Sequence, residues 1–221
     1  YAIIYIMKQT RLDALSDGIF AIVMTILVFE IRIPNFSGSL PDKEIFDLLI
    51  SILPLLINYI FSFSLLFTYW RSNHFIASVL AKNIDVHFSN LNGLFLFLVA
   101  LIPFFSNFLG NYPNSKVTVI AFAVNVILIG LVLFVMRRYA IKSKNIENTP
   151  FTEIENSHAY VHILFPVFSA IVAIIISFFS TTTAIFVLTL AILFNLSKNG
   201  TRYLFGFLDL FRKNKIENLN P

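Results

Sequence analysis

The segment that decides the fold is RLDALSDGIFAIVMTILVFEI, Arg11 to Ile31. It begins with charged and polar side chains and continues into an apolar run that only Thr25 interrupts before Glu30. About 20 predominantly apolar residues suffice for a helix to cross the hydrocarbon of a bilayer, so this run predicts a membrane-spanning helix. The polar residues at its start need an explanation, because a desolvated charge must be paired or hydrated.

The composition favours a membrane protein. Of the 221 residues 57% are hydrophobic and 13% are charged, whereas soluble domains carry about 25% charged residues. The chain has no cysteine, which excludes disulfides, thiolate metal sites and cysteine nucleophiles. We see no nucleophile–base pair and no glycine-rich phosphate loop, so we predict neither an enzyme nor a cofactor. Residues Tyr1–Ile6 are interpreted as an extension upstream of a start at Met7.

Apolar runs divide the chain into six predicted spans, at 12–31, 45–69, 88–109, 117–136, 159–179 and 182–197. The connecting stretches are polar or rich in turn-forming residues, such as IPNFSGSLPDKE and GNYPNSK. We therefore predict an all-α membrane protein, with residues 1–221 forming one six-helix domain.

The basic residues fall mainly on one side of this arrangement. Thirteen of the sixteen lie on the side that also holds both termini, and three lie on the other: Arg32, Lys43 and Lys116. Cytoplasmic loops carry an excess of Lys and Arg, so the bias predicts that both termini are cytoplasmic. The positive charge then serves orientation and contact with anionic lipid, and nucleic acid is not expected as a partner.

The first helix has two different faces. At about 100° per residue, Leu15, Gly18, Thr25 and Phe29 all lie within about 60° of Ile22, whereas Asp17 lies about 140° away. The apolar stripe with its threonine is one candidate functional surface. A stripe of this kind is also typical of a simple packing face, and a threonine in a membrane helix often bonds its own i−4 carbonyl.

The polar residues at the start of this helix predict a second feature, a polar lock at its cytoplasmic end. Candidate partners lie at the same depth, in YWRSNHF at the end of helix two and in VHFSNLNG at the start of helix three. Buried polar networks are tolerated when every member is hydrogen-bonded. We predict that the lock comprises Arg11, Ser16, Asp17, Trp70, His74 and Asn92.

The histidines provide two further candidates. His74 would make the lock sensitive to pH, because imidazole changes charge in the physiological range. His158 and His162 are spaced i, i+4, which suits a metal, but no acidic or cysteine partner completes such a site. No metal site is predicted.

A transporter is one function open to such a membrane protein, and a scaffold or membrane-shaping protein without any flux is another. In a transporter, neutral polar residues near the middle of the spans would line a substrate cavity, formed by Asn58, Ser62, Asn125 and Asn195. Ion-coupled carriers usually place an ionisable group at the midplane, and the predicted spans carry none there.

The motif RLDALSDG resembles the R-x-x-x-F-S-D-G motif of the endolysosomal potassium-channel family, transmembrane protein 175, and its prokaryotic homologues. The match covers Arg11, Ser16, Asp17 and Gly18, while Leu15 replaces the phenylalanine. SDGIFAIVMTILVFEI, YWRSNHF and LNGLFLFLVALIPF resemble further segments of the prokaryotic members in the same order.

This resemblance implies a homotetrameric potassium channel of six-helix subunits in a bacterial inner membrane, with helix one lining a central pore. Potassium would be the permeating ion, and TVGYG, the filter of ordinary potassium channels, is absent from the sequence. The family's constriction corresponds to Ile22, its threonine to Thr25 and its outer apolar layer to Phe29. If the family's usual residue at this position is leucine, Phe29 is bulkier. The resemblance then does not fix the width of the pore at this outer layer.

Overall fold

The computed structural model of the chain describes residues 9–31, 41–81, 83–147 and 153–197, the last range with side chains from residue 159 onward. Several features of the sequence lie outside this description. They are Tyr1–Ile6, the side chain of His158 and eight of the sixteen basic residues: Lys8, Arg32, Lys82, Lys198, Arg202, Arg212, Lys213 and Lys215.

Helices dominate the described residues. The first, α1, ends in a 3₁₀ turn, Leu27–Glu30, and the third ends in a π-helical turn, Phe75–Leu80. The α-helices are α1 Gln9–Ile26, α2 Asp42–Ser51, α3 Leu53–His74, α4 Val86–Ala100, α5 Ile102–Asn111, α6 Lys116–Lys142, α7 Glu153–Ser177 and α8 Thr181–Leu196.

Five helical segments in the described ranges are long and apolar enough to cross a membrane: Gln9–Glu30, Leu53–Leu80, Val86–Asn111, Lys116–Lys142 and Ala159–Ser177. The protein is therefore an all-helical, multi-pass membrane protein. The sixth predicted span, 182–197, corresponds to α8, which has 16 residues. At 1.5 Å per residue a helix of this length rises about 24 Å, less than the roughly 30 Å of a hydrocarbon core.

The second predicted span, 45–69, is wrong in its bounds, because the structure has two helices here in place of one. The chain forms α2 first, and a separate helix, α3, starts at Leu53 with Pro54 in its first turn. Proline is favoured there because it needs no hydrogen-bonded N–H. Helical structure then continues beyond Tyr69, where the predicted span ends, to Leu80. Polar side chains end a hydrophobic run without ending a helix.

The third span, predicted at 88–109, is interrupted. The helix stops at Ala100 and restarts at Ile102. Pro103 has no N–H to donate, and the Leu101 amide bonds the Leu98 carbonyl at 3.2 Å in a tightened turn. The two parts, α4 and α5, remain one apolar segment with a break at Leu101.

Helix α6 lies at the centre of the packing and contacts α4, α5 and α7. Gly130 of α6 faces α7 closely, since an added Cβ there would lie 2.2 Å from Val167 Cγ2. Small residues allow membrane helices to approach in this way. The absence of a side chain at Gly130 therefore sets the distance between α6 and α7.

Helix α1 packs one face against α3 and α4. The Phe20 ring lies 5.9 Å from the Phe95 ring, centroid to centroid, and is fully buried. The buried residues recur every three or four positions: Leu12, Ser16, Phe20, Val23 and Leu27. This spacing uses one side of the helix for packing within the chain and leaves the other side uncovered.

Candidate functional site

The uncovered face of α1 is largely apolar from Leu15 to Phe29. Ile22 is 59% exposed and Phe29 is 73% exposed, and Leu15, Gly18, Thr25 and Ile26 share the same face. A row of exposed apolar side chains indicates a surface that meets lipid or another protein. The structure thus places Ile22, Thr25 and Phe29 together, on the side of α1 that the described part of the chain does not cover.

Thr25 is the polar member of this face. Its hydroxyl donates to the backbone carbonyls of Ala21 and Ile22, at 2.9 and 2.8 Å. A hydroxyl has one hydrogen and two lone pairs, so this donation uses the hydrogen and keeps the oxygen available as an acceptor. Thr25 therefore presents oxygen electron density on an otherwise apolar surface.

At the other side of α1, Asp17 contacts α3. Trp70 Nε1 donates a 2.8 Å hydrogen bond to Asp17 Oδ1, and the Trp70 ring stacks on His74 with centroids 5.8 Å apart. His74 Nδ1 also lies 3.4 Å from Ser78 Oγ. Three of the residues predicted for the polar lock are therefore neighbours in the structure.

Ser16 and Asn92 form a second, buried contact. Asn92 Nδ2 donates to Ser16 Oγ at 3.1 Å, and Ser16 donates its own hydrogen to the Leu12 carbonyl at 2.9 Å. Asn92 Oδ1 has no hydrogen-bond partner among the described residues. The contact joins α1 to α4 at about the depth of Asp17.

Arg11 lies apart from these contacts. Its side chain is exposed and makes no hydrogen bond or ion pair with the described residues. Gln9, which the sequence analysis missed, makes the connection at this end instead. Its amide donates to the carbonyls of Ala77 and Ala81, at 2.5 and 2.9 Å. These carbonyls lie in and just after the π-helical turn, whose position could not be read from the sequence.

The other end of α1 carries a contact that sequence reasoning also missed. The Asn107 side-chain amide donates to the Glu30 carboxylate, which links the 3₁₀ turn to α5. Nearby, Asn58 donates to the Ser106 carbonyl at 2.9 Å, and the hydroxyls of Ser62 and Ser106 lie 2.8 Å apart. The sequence signal that could have indicated these contacts is the polar pair Ser106 and Asn107 within the apolar stretch after Pro103.

The four residues proposed for a transporter cavity do not come together in one cluster. Asn58 and Ser62 both bond Ser106, whereas Asn195 Oδ1 lies 2.9 Å from His162 Nδ1. Asn125 is buried within α6. The bonds of Asn58 and Ser62 to Ser106, and of Asn195 to His162, serve packing between neighbouring helices.

A further contact links the start of α4 to the end of α6. Asp85 caps α4 by accepting from the Phe88 amide at 2.8 Å, and it also accepts from the Tyr139 hydroxyl. Partial burial alone would raise the pKa of Asp85, but these hydrogen bonds outweigh it and hold the pKa below its usual value. An Asp directly before an apolar run indicates a helix cap in the sequence. Nothing in the sequence identifies Tyr139 as the second partner of Asp85.

No metal centre is present in the described part of the chain, where no three His, Asp or Glu side chains converge. His162 bonds Asn195 in α8, and the side chain of His158 is not described. The described side chains thus place His162 in a helix–helix contact.

Comparison with known proteins shows which channels the chain resembles. The model of the endosomal/lysosomal potassium channel TMEM175 matches residues 11–103, which include α1, α3, α4 and their polar contacts. The fold matches the crystal structure of a lysosomal potassium-selective channel TMEM175 homologue from Chamaesiphon minutus. The TM-score is 0.69 at 26% identity, over 85% of this chain and 95% of that one. The chain is thus similar to the TMEM175 family in sequence over residues 11–103 and to a TMEM175 homologue in fold.

Two bacterial potassium channels are also similar to the chain in sequence. A potassium channel from a Chryseobacterium strain is 29% identical over 162 residues, which cover 72% of this chain and 79% of the relative. A potassium channel from Chamaesiphon minutus is 34% identical over 116 residues, 51% of this chain and 56% of the relative. The TMEM175 match begins at Arg11, the first residue of the motif in which Leu15 replaces phenylalanine.

Proposed function

We propose that this protein is a potassium-permeable channel subunit of the TMEM175 type and that four copies surround a central pore lined by α1. The observation that carries the proposal is the division of α1 into a buried face and an uncovered apolar face that includes Thr25. A helix that lines a pore between subunits must leave one face uncovered in its own chain. The relatives that match are named as potassium channels, which supports the same conclusion.

The proposed subunit has six membrane-spanning helices, with α8 as the sixth, and both termini on the cytoplasmic side of a bacterial inner membrane. The distribution of basic residues supports this orientation, because the cytoplasmic excess of Lys and Arg would include the described group Arg71, Arg137, Arg138, Lys142 and Lys144. Membrane lipids are then the surrounding partners, and no cofactor is required.

Ile22 would form the constriction. It lies near the middle of the uncovered face, and a ring of such side chains would narrow the pore without presenting any charge. Hydrophobic constrictions block ions by excluding water, since an ion cannot enter a dry passage without losing its hydration. Conduction then requires the ring to widen enough to be wetted.

Thr25 would supply oxygen next to the constriction. Its hydrogen is bonded within α1, so its lone pairs are available to replace part of the hydration shell of a cation. Phe29 would form the outer apolar layer. Selectivity would rest on these few oxygens and on the cost of dehydration, without a TVGYG filter.

The contacts of Ser16 and Asp17 with Asn92 and Trp70 would position the pore helix. They lie on the packed side of α1 and hold it to α4 and α3. In this role the polar residues act on the pore indirectly, by setting the position of the face that carries Ile22.

Potassium flux into liposomes tests the channel directly. Ile22→Ala widens the proposed constriction and is expected to increase the flux severalfold over wild type. Ile171→Ala is the matched control, because Ile171 is an exposed isoleucine in the middle of α7 and is expected to leave the flux unchanged. Absence of flux in wild type and Ile22→Ala, or an equal increase in both variants, would contradict the proposal. A carrier would instead show saturable flux that is insensitive to Ile22.

Native mass spectrometry of the purified protein tests the assembly. Four copies per particle are expected, and a monomer or dimer would contradict a pore lined by α1 from four subunits.

A further inference from the structure

A small cavity lies at the end of α1 opposite to Asp17, between the 3₁₀ turn, α3 and α5. Its volume of about 10 Å³ is enough for one water molecule or one monatomic ion. Polar residues from all three elements line it: Glu30, Asn58, Tyr59, Ser106, Asn107 and Asn111. The channel function proposed above makes no use of this cavity.

Glu30 gives the cavity an acidic group. It is half-buried, and its carboxylate accepts a hydrogen bond from the Asn107 side-chain amide. None of the described residues that line the cavity is Lys, Arg or His. An amide donor is neutral and does not offset the charge of a carboxylate, so a cation beside Glu30 lowers the energy of the site. The lining therefore favours a positively charged ligand.

The side-chain amides of Asn58 and Asn111 are oriented by α5. Asn58 Nδ2 donates to the Ser106 carbonyl at 2.9 Å and to Ser106 Oγ at 3.0 Å. Asn111 Nδ2 donates to the Asn107 carbonyl at 2.9 Å and to Asn107 Oδ1 at 3.0 Å. A backbone carbonyl only accepts, so these contacts identify the nitrogen of each amide. The oxygens of Asn58 and Asn111 accept no hydrogen bond from the described residues and are available to a ligand.

Gly110 makes room for the Asn58 amide beside the cavity. An added Cβ at Gly110 would lie 3.1 Å from Asn58 Nδ2 and 3.2 Å from Leu55 Cδ2, closer than side chains ordinarily pack. A larger residue at this position would push the amide away from Ser106. The absence of a side chain at Gly110 thus keeps Asn58 in the orientation that leaves its oxygen available.

The set of oxygens decides the kind of cation. Carboxylate and amide oxygens are ligands for hard cations. Calcium takes about six to eight oxygens and gains affinity with the number of charged ones. Glu30 is the single carboxylate that lines this cavity among the described residues, and the amide oxygens are neutral. One negative charge matches one positive charge, which favours an alkali cation over a divalent one.

We propose that this cavity binds an alkali cation, Na⁺ or K⁺, through the Glu30 carboxylate and the side-chain oxygens of Asn58 and Asn111. Asn107 would orient the carboxylate through its hydrogen bond. The bound ion would join the end of α1 to α3 and α5, within one chain and apart from the uncovered face that carries Ile22. The proposal does not rest on ion conduction, and its test measures stability.

Thermal unfolding of the purified wild-type protein in neutral detergent tests the proposal. NaCl, KCl or CaCl₂ replaces N-methylglucamine chloride at constant ionic strength, so that general charge screening stays the same. N-methylglucamine is too large for the cavity. A saturable rise in the unfolding temperature of about 2–4 °C with NaCl or KCl is expected, and the salt that acts at the lower concentration identifies the ion. No rise with either salt, or a rise with CaCl₂ alone, overturns the proposal.

Glu30→Gln and Asp47→Asn form the matched pair of variants. Each removes one carboxylate, but Asp47 is exposed on α2 and does not line the cavity. Glu30→Gln is expected to raise the salt concentration at the midpoint of the rise at least about tenfold, because the charged ligand is lost. Asp47→Asn should leave that midpoint unchanged. A wild-type midpoint in Glu30→Gln, or an equal change in both variants, overturns the proposal.

Asn107→Asp makes the opposite change, since it places a second carboxylate beside Glu30. Two adjacent carboxylates repel each other unless a cation lies between them. The variant should therefore unfold at a lower temperature than wild type in N-methylglucamine chloride and gain more from NaCl or KCl than wild type does. Loss of stability without the larger gain is the result of a hydrogen bond alone, and it overturns the proposal.

Thr25→Val separates this cavity from the proposed pore. It removes the hydroxyl of the uncovered face and leaves the residues of the cavity intact. The rise with NaCl or KCl should persist in this variant. A rise that is lost in Thr25→Val and kept in Glu30→Gln would place the ion in the pore, and it overturns the proposal.

Discussion

Trp70 Nε1 lies 2.8 Å from Asp17 Oδ1, a hydrogen bond that joins α3 to α1 across 53 positions of sequence. Its donor comes from a ring that also packs on His74 and Phe67, so the indole is held from several sides. This relationship explains why an acidic side chain stands at the mouth of an apolar helix, and it leads to a first prediction.

Trp70→Phe removes the donor but retains an aromatic ring, and it is expected to destabilise the protein by about 1 kcal/mol, since the bond is exposed to solvent. Thermal unfolding of the variant in detergent, followed by circular dichroism, measures the loss. Asp17→Ala, which removes the acceptor, and the double variant complete a cycle, in which a coupling free energy near zero would mean that the bond does not contribute.

The buried pair Ser16 and Asn92 is expected to respond asymmetrically to substitution. Ser16→Ala leaves both polar atoms of a fully buried amide without partners and should cost about 1–3 kcal/mol. Asn92→Leu removes the whole amide, including the oxygen without a described partner, while Ser16 keeps its bond to Leu12. It should therefore cost less than Ser16→Ala. Thermal unfolding of the two variants compares them, and the reverse order would refute the assignment.

Gly130→Ala should destabilise the contact between α6 and α7 by about 1–3 kcal/mol, because the new methyl would overlap Val167. Gly93→Ala is the matched control. Gly93 is also helical, and an added Cβ there meets nothing within 4 Å, so the better helix propensity of alanine should leave stability unchanged or raised. The double variant Gly130→Ala, Val167→Ala should recover stability relative to Gly130→Ala, and failure to recover would place the clash elsewhere.

Asp85 predicts an acid-dependent loss of stability. Its pKa is lowered in the folded protein, so its contribution is present above the unfolded value of about 3.9 and disappears as the pH falls through the folded value. Wild type should thus lose stability below about pH 4 more steeply than Asp85→Asn. Unfolding temperatures between neutral and acidic pH give the two slopes, and identical slopes would show that the contacts of Asp85 do not couple to folding.

The apolar runs of the sequence predicted the helices well where hydropathy and helical structure coincide. The first run, 12–31, corresponds to Gln9–Glu30, and 117–136 lies within α6. Hydropathy reports what hydrocarbon tolerates, however, and not where backbone hydrogen bonding ends. The π-helical turn after His74 and the break at Leu101 therefore could not be read from it.

The candidate site, too, could be predicted from the sequence only in part. Helical spacing alone separates the face of Ile22 from the packed face of α1, since periodicity depends only on neighbouring positions. The partners of Asp17 and Ser16 were predicted because polar residues in two other spans lie at the same depth. The bond between Glu30 and Asn107 joins residues 77 positions apart. Asn107 lies beyond the break between α4 and α5, and no local sequence pattern indicates such a contact.

The break at Leu101 has a mechanical consequence. The α4–α5 segment holds α1 at two points, through Asn92 near one end and Asn107 at the other, and the break lies between them. The two attachments lie on different sides of the break, so a rotation of α4 relative to α5 moves the two attachment points relative to each other. Any change of the bend angle must therefore tilt α1 about these points, lengthen one of the two bonds or release it.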